Sequence, residues 1–188
     1  MDNKLKIINH LGKNKDSSFT MHNLSKTISI PYATFYRTLN GMKELLTVQV
    51  IGKAKTLRLN LKNPAIKAYL TIASEEEKKE HLGNQPIILK ISSELNTKDV
   101  VILFGSYAKG NQKDNSDIDL LIINKSGEKS ISFSKYVTLF KKKINPIFVT
   151  QKEFKQMLKD QEENVGKQAL RYHVVLNNPE RFWQLVLE

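Results

Sequence analysis

Between Val100 and Ile123 the chain reads V-V-I-L-F-G-S-Y-A-K-G-N-Q-K-D-N-S-D-I-D-L-L-I-I. Two short apolar, β-branched-rich runs bracket a Gly-Ser turn and a polar loop, and the second run opens with two aspartates one residue apart. Runs of this length closed by turn residues read as strands buried on both faces. In a strand, residues i and i+2 project from one face, roughly 6.5–7 Å apart along the chain. Asp117 and Asp119 therefore stand side by side, where they repel each other and lose hydration unless a cation or hydrogen-bond donors compensate. The simpler arrangement has Asp117 capping the entry loop and Asp119 turned to solvent. The fixed distance from the Gly-Ser turn favours a shared site.

Around that pair, Pro86–Leu95 reads as a helix leading into a strand over Val100–Phe104. A glycine straight after the strand lets the backbone approach a phosphate group closely. Ser106 adds a hydroxyl and an N–H at a helix start, and Lys109 is within a turn of them. A strand over Asp117–Ile123, a crossover helix over Ser130–Lys143 and a third strand over Ile144–Val149 follow. Helices are expected over Gln151–Lys159 and Glu162–Val174. A C-terminal helix carries Phe182, Trp183, Leu185, Val186 and Leu187, with Trp183 in the core.

The string F-G-S-Y-A-K-G, then S-D-I-D-L-L-I, resembles the signature of the DNA polymerase β-like nucleotidyltransferase superfamily, in particular its minimal and kanamycin nucleotidyltransferase-like members. The resemblance is close over about 24 residues and looser over the last 105 or so. It implies transfer of a nucleoside monophosphate from a nucleoside triphosphate to an acceptor hydroxyl. Asp117 and Asp119 would be catalytic and hold Mg²⁺ (or Mn²⁺), and Gly105, Ser106 and Lys109 would bind the nucleotide. Active members carry a third carboxylate on the following strand, which binds metal and deprotonates the acceptor. The matching position here is Asn145, which is neutral and has no basic atom. The neighbouring acids Asp114 and Glu153 are the candidates to replace it, although spacing supports neither. The alternative function is therefore a DNA-binding regulator whose nucleotidyltransferase-like domain senses nucleotide or serves as a scaffold.

The first third reads differently. Leu5, Ile7, Ile8 and Leu11 mark a helix closed by Gly12, and Thr20 caps a second helix with Leu24 and Ile28. Pro31 starts a third helix over Tyr32–Leu46, with Phe35, Leu39, Met42 and Leu46 as its buried stripe. Strands Val48–Ile51 and Thr56–Leu61 follow, joined by Gly52-Lys53-Ala54-Lys55. The segment from Thr20 to Leu46 resembles a winged helix-turn-helix. That resemblance implies double-stranded DNA as partner, with Tyr32, Thr34, Tyr36 and Arg37 facing the groove and Lys53, Lys55 and Arg58 on phosphates. It also points to a homodimer, since such modules often read paired half-sites.

The expected organisation is α+β with α/β character. Residues 1–62 form a winged helix-turn-helix of three helices and a hairpin wing, and 63–83 a connecting helix. Residues 84–188 form a nucleotidyltransferase-like domain with a small mixed sheet and C-terminal helices. Charge agrees with this division. The net +11 of the 188 residues splits as +8 over residues 1–62, −1 over 63–83 and +4 over 84–188, so the polyanion-attracting excess lies in the first third. The chain has no cysteine and only four scattered histidines, which excludes disulfides and thiolate metal sites. No apolar run reaches the roughly 20 residues that span a bilayer, and Met1–Lys6 lacks the apolar core of a signal peptide. The expected location is cytoplasmic, without membrane association.

Overall fold

A computed structural model describes residues 1–52 and 54–188. The chain divides into two compact units, Met1–Ala73 and Ser74–Glu188.

The first unit opens with α1 (Asn3–Lys13), whose first turn is capped by Asp2 accepting from the Leu5 N–H at 2.8 Å. Ile7, Ile8 and Leu11 are buried as their spacing demands. Gly12 does not close this helix; it is buried within it, and Asn14 is the cap. A short strand, β1 (Phe19–Thr20), precedes α2 (Met21–Thr27), and Thr20 caps α2 through the Asn23 N–H. The third helix, α3, spans Tyr32–Asn40. It was expected to reach Leu46, but the chain leaves helical geometry at Gly41, a poor helix former. A 3₁₀ turn over Lys43–Leu45 then delivers Leu46 as the first residue of β2 (Leu46–Ile51). Phe35, Leu39, Met42 and Leu46 are all buried, so one apolar spacing is satisfied by three successive local structures. β2 and β3 (Ala54–Leu59) form an antiparallel hairpin, its turn opened by Gly52 at φ +59°. β3 lies between β1 and β2 in a three-stranded sheet.

Helix α4 (Ala65–Leu82) contains the division between the units. In the second unit, α5 (Pro86–Ser93) leads to β4 (Val100–Phe104), every residue of which is buried. The five-residue α6 (Gly105–Lys109) follows without a break, then the polar loop and β5 (Ile118–Asn124). The crossover helix α7 is only Ser134–Phe140, shorter than expected at both ends. Upstream, the Ser130 hydroxyl donates to Asp99 at 2.6 Å and accepts from Asn124 at 3.1 Å, bonds that hold this segment in a loop. Downstream, Lys141 sits at φ +50° and ends the helix. β6 (Ile144–Thr150) pairs parallel with β5, and Pro146, which has no N–H to donate, is accommodated because β6 is an edge strand.

After α8 (Gln151–Lys159), the helix expected over Glu162–Val174 is confined to α9 (Val165–Arg171), capped by Asn164. The β-branched pair Val174-Val175 instead begins an unforeseen strand, β7 (Val174–Asn177), antiparallel to β4. The four-stranded mixed sheet has the order β6-β5-β4-β7. Its core joins Val101, Leu103, Leu120 and Ile122 to Ile88 and Ile91 of α5 and Tyr136 of α7. The last helix, α10 (Pro179–Leu187), buries Phe182 and Trp183 completely. The Trp183 indole N–H donates to the Ser74 hydroxyl at 2.8 Å. Among the described residues, no helix is long and apolar enough to cross a membrane.

Candidate functional site

The register of β5 and β6 builds the site. The strands run parallel with Asp119 opposite Asn145. One step earlier, the Ile118 N–H donates to the Lys143 carbonyl at 2.9 Å. With the two-residue period of strands, Asp117, Asp119, Lys143 and Asn145 emerge from one face. Their side chains meet. The Asn145 Nδ2 donates to Asp117 Oδ2 and to Asp119 Oδ1, each at 3.1 Å. The Lys143 Nζ lies 2.9 Å from the same Asp117 Oδ2. The carboxylates thus converge on one point, and the chain supplies the donor that stands there.

Electrostatics follow the contacts. Asp117 is held below the usual carboxylate range, chiefly by the Lys143 ammonium and then by the Asn145 amide, with desolvation opposing both. Lys143 is raised in turn by its bond to Asp117.

The end of β4 forms the roof. Gly105 takes φ +70°, and a Cβ there would lie 2.4 Å from Asp119 Oδ2. A glycine is required twice over, by backbone conformation and by the carboxylate packed against it. Ser106 is half-buried in the first turn of α6, and its carbonyl accepts from the Asn111 N–H at 3.2 Å. Lys109 is exposed, and its ammonium lies over the Tyr172 ring, 4.5 Å from the centroid. The structure therefore brings together Gly105, Asp117, Asp119 and Asn145, with Ser106 adjacent in sequence, and turns Lys109 toward an aromatic ring.

The other acids do not join this group. Glu153 completes a capping box, accepting from the Thr150 N–H at 2.7 Å and hydroxyl at 2.8 Å, at the far end of β6 from Asn145. Asp114 meets the Lys142 ammonium through its backbone carbonyl. Among the described residues, no group of three or more His, Cys, Asp or Glu could hold a metal ion. What remains is two carboxylates and an amide. The amide nitrogen, reaching both carboxylates at once, shows that one small partner can satisfy both. An asparagine also carries an oxygen that can turn toward a cation. The donor set thus fits a single hard divalent ion held by oxygen, with one fewer charge than three carboxylates would give.

Two residues of the site were not singled out from sequence. Lys143 could have been, since it lies two residues before Asn145 on a strand approach and shares its face. Tyr172 carried no such signal. A separate cavity of about 360 Å³ lies at the opposite end of the sheet, lined by residues including Lys98, Asp99, Lys125 and Arg181. None of the expected site residues borders it.

In the first unit, Tyr32 and Tyr36 are each 49% exposed on α3. Arg37 is exposed on the same helix, 3.5 Å from the half-buried Thr34 hydroxyl. Lys55 and Arg58 are exposed on β3, and Arg58 donates to the Ser18 hydroxyl. Lys53 lies outside the described residues.

No curated protein and no solved structure matches the chain. The family model described as nucleotidyltransferase domain matches residues 86–186, more than half of the chain. That span runs from α5 to α10 and holds the Gly-Ser turn, both aspartates and Asn145. The chain belongs to the nucleotidyltransferase domain family.

Proposed function

We propose that the chain transfers a nucleoside monophosphate from a nucleoside triphosphate to an acceptor hydroxyl, and that its first 62 residues are a winged helix-turn-helix that binds double-stranded DNA. The observation carrying the first half is the convergence of Asp117 and Asp119 on one amide nitrogen beneath Gly105. Asp117 and Asp119, with the Asn145 oxygen, would hold Mg²⁺ or Mn²⁺. Bound there, such an ion supplies neutralisation of phosphate charge. Gly105 and Ser106 receive the triphosphate, the glycine by close backbone approach and the serine through its hydroxyl. In the transfer, the acceptor oxygen bonds to the α-phosphorus as the bond to pyrophosphate breaks. The acceptor proton passes to solvent, because Asn145 has no basic atom.

For the second half, exposed Tyr32, Tyr36 and Arg37 on α3 and Lys55 and Arg58 on the hairpin give a polar-aromatic helix face and basic strand positions. Such surfaces suit a groove and its phosphates. Pairing through this module would make the protein a dimer.

One observation favours the second reading, a DNA-binding regulator without turnover. Lys143 and Asn145 already satisfy the carboxylates from within the chain. Incubation with α-³²P-labelled nucleoside triphosphates, Mg²⁺ and cell extract separates the two. Label transferred by the wild type and lost in Asp117→Ala/Asp119→Ala supports the enzyme. Label absent in the wild type but gained in Asn145→Asp supports the regulator, and absence from all three overturns transfer.

A further inference from the structure

Asp117 Oδ2 accepts from two donors of different kinds, the amide of a mid-strand asparagine and the ammonium of a lysine just before the strand. A cation that takes this oxygen ends both contacts: the Asn145 amide must turn its oxygen to the ion, and the Lys143 ammonium, which has only N–H donors, must leave. Asn145 is short, half-buried and placed by the β5–β6 register, so its amide turns without leaving the site. The Lys143 side chain is 70% exposed on a flexible four-carbon stem, and ion pairs at such positions hold weakly. Lys143 is the group that yields.

We propose that Lys143 is a tethered counter-cation: it neutralises Asp117 until a divalent ion takes that carboxylate, and the released ammonium then binds a phosphate of the incoming nucleoside triphosphate. This rests on the metal and nucleotide reading of the site given above. The tether is structural, because the Lys143 carbonyl stays bonded to the Ile118 N–H while only the side chain moves. Lysine serves phosphate as a point charge without fixed geometry, which suits a group arriving from another partner. Lys109, the expected phosphate ligand, is engaged over Tyr172. Among the described residues, Lys143 is the cation paired with Asp117. Metal and nucleotide binding are then coupled through one side chain, and the coupling is reciprocal.

The test uses the full chain, with Mn²⁺ binding followed by electron paramagnetic resonance of the free ion. Affinity for α,β-methylene adenosine triphosphate is measured by calorimetry with and without Mn²⁺. Lys143→Gln should tighten Mn²⁺ binding about two- to fivefold and abolish the gain in analogue affinity that Mn²⁺ gives the wild type. Lys142→Gln removes the same charge one residue away, from an ammonium bonded to the Asp114 carbonyl, and should leave both quantities near wild type. If Lys143→Gln behaves like Lys142→Gln, or weakens Mn²⁺ binding, the counter-cation role is overturned. Asp117→Asn/Asp119→Asn separates the two levels. Mn²⁺ binding that survives this variant refutes the metal site itself, whereas binding that needs the aspartates but ignores Lys143 refutes only the present proposal.

Discussion

Gly105→Ala and Gly110→Ala form a matched pair that tests the geometry beneath the turn. The two glycines are the first residue and the C-cap of the same short helix, at nearly equal positive φ, +70° and +69°. A Cβ in the left-handed region costs about 1–2 kcal/mol, and that cost is common to both. At Gly110 a Cβ meets nothing within 4 Å, whereas at Gly105 it lies 2.4 Å from Asp119 Oδ2. Ordinary contact begins near 3.4 Å, so the Asp119 carboxylate must withdraw its Oδ2 by about an ångström, which carries its other oxygen, Oδ1, off the 3.1 Å bond from Asn145. Loss of a hydrogen bond to a charged group adds about 1.5–3 kcal/mol, with the lower end favoured because Asp119 is only half-buried. Gly110→Ala should therefore cost about 1–2 kcal/mol and Gly105→Ala about 2.5–4 kcal/mol. Urea unfolding followed by fluorescence reads this cleanly, since the chain's single tryptophan, Trp183, is fully buried in the second unit. Equal destabilisation of the two variants would refute the packing of Asp119 against the turn.

Three further outcomes are expected. Asn145→Asp sets a third carboxylate against two others, so its melting temperature should fall without divalent ions and rise with added Mg²⁺ more than that of the wild type; an unchanged response in differential scanning fluorimetry would contradict the convergence of the three side chains. Glu94, bonded by Lys135, Lys90 and the Tyr136 hydroxyl, is held down to about 2 from an ordinary value near 4.5. Its folded form is the more acidic, so its contribution is complete above about pH 4.5 and lost as pH falls toward 2; Glu94→Gln should flatten that limb of a urea-midpoint profile. For the first unit, fluorescence anisotropy with duplex DNA at several salt concentrations should give a slope of log affinity on log salt that falls by about 0.9 in Lys55→Ala; an unaltered slope would remove this lysine from the phosphate contacts.

Much of the second unit was legible in the sequence because its strands are buried on both faces and bounded by turn residues. The limits of β4 were read correctly, and those of β5 and β6 to within a residue, from apolar runs with a glycine, an aspartate or a lysine at their ends. The side-by-side aspartates followed from the period of a strand alone. Asn145 could be aligned with them only by resemblance, since register between strands far apart in sequence is a tertiary property. The same limit hid β7, whose four residues become a strand through pairing with β4. Helix ends were misplaced where side chains compete for the backbone, as at Ser130, or where an apolar spacing fits two local structures, as at Gly41.

The bond from Trp183 to Ser74 sets a practical limit on dissecting the protein. A fragment cut at the turn after α4, or at residue 86 where the family match begins, would contain every side chain of the carboxylate site yet lack Ser74. Its tryptophan would lose the acceptor of its indole N–H, a loss of about 0.5–1.5 kcal/mol at the far end of the chain from the cut. Expression of the portion matched by the family model should therefore begin upstream of Ser74 and carry the second half of α4 as part of the fold.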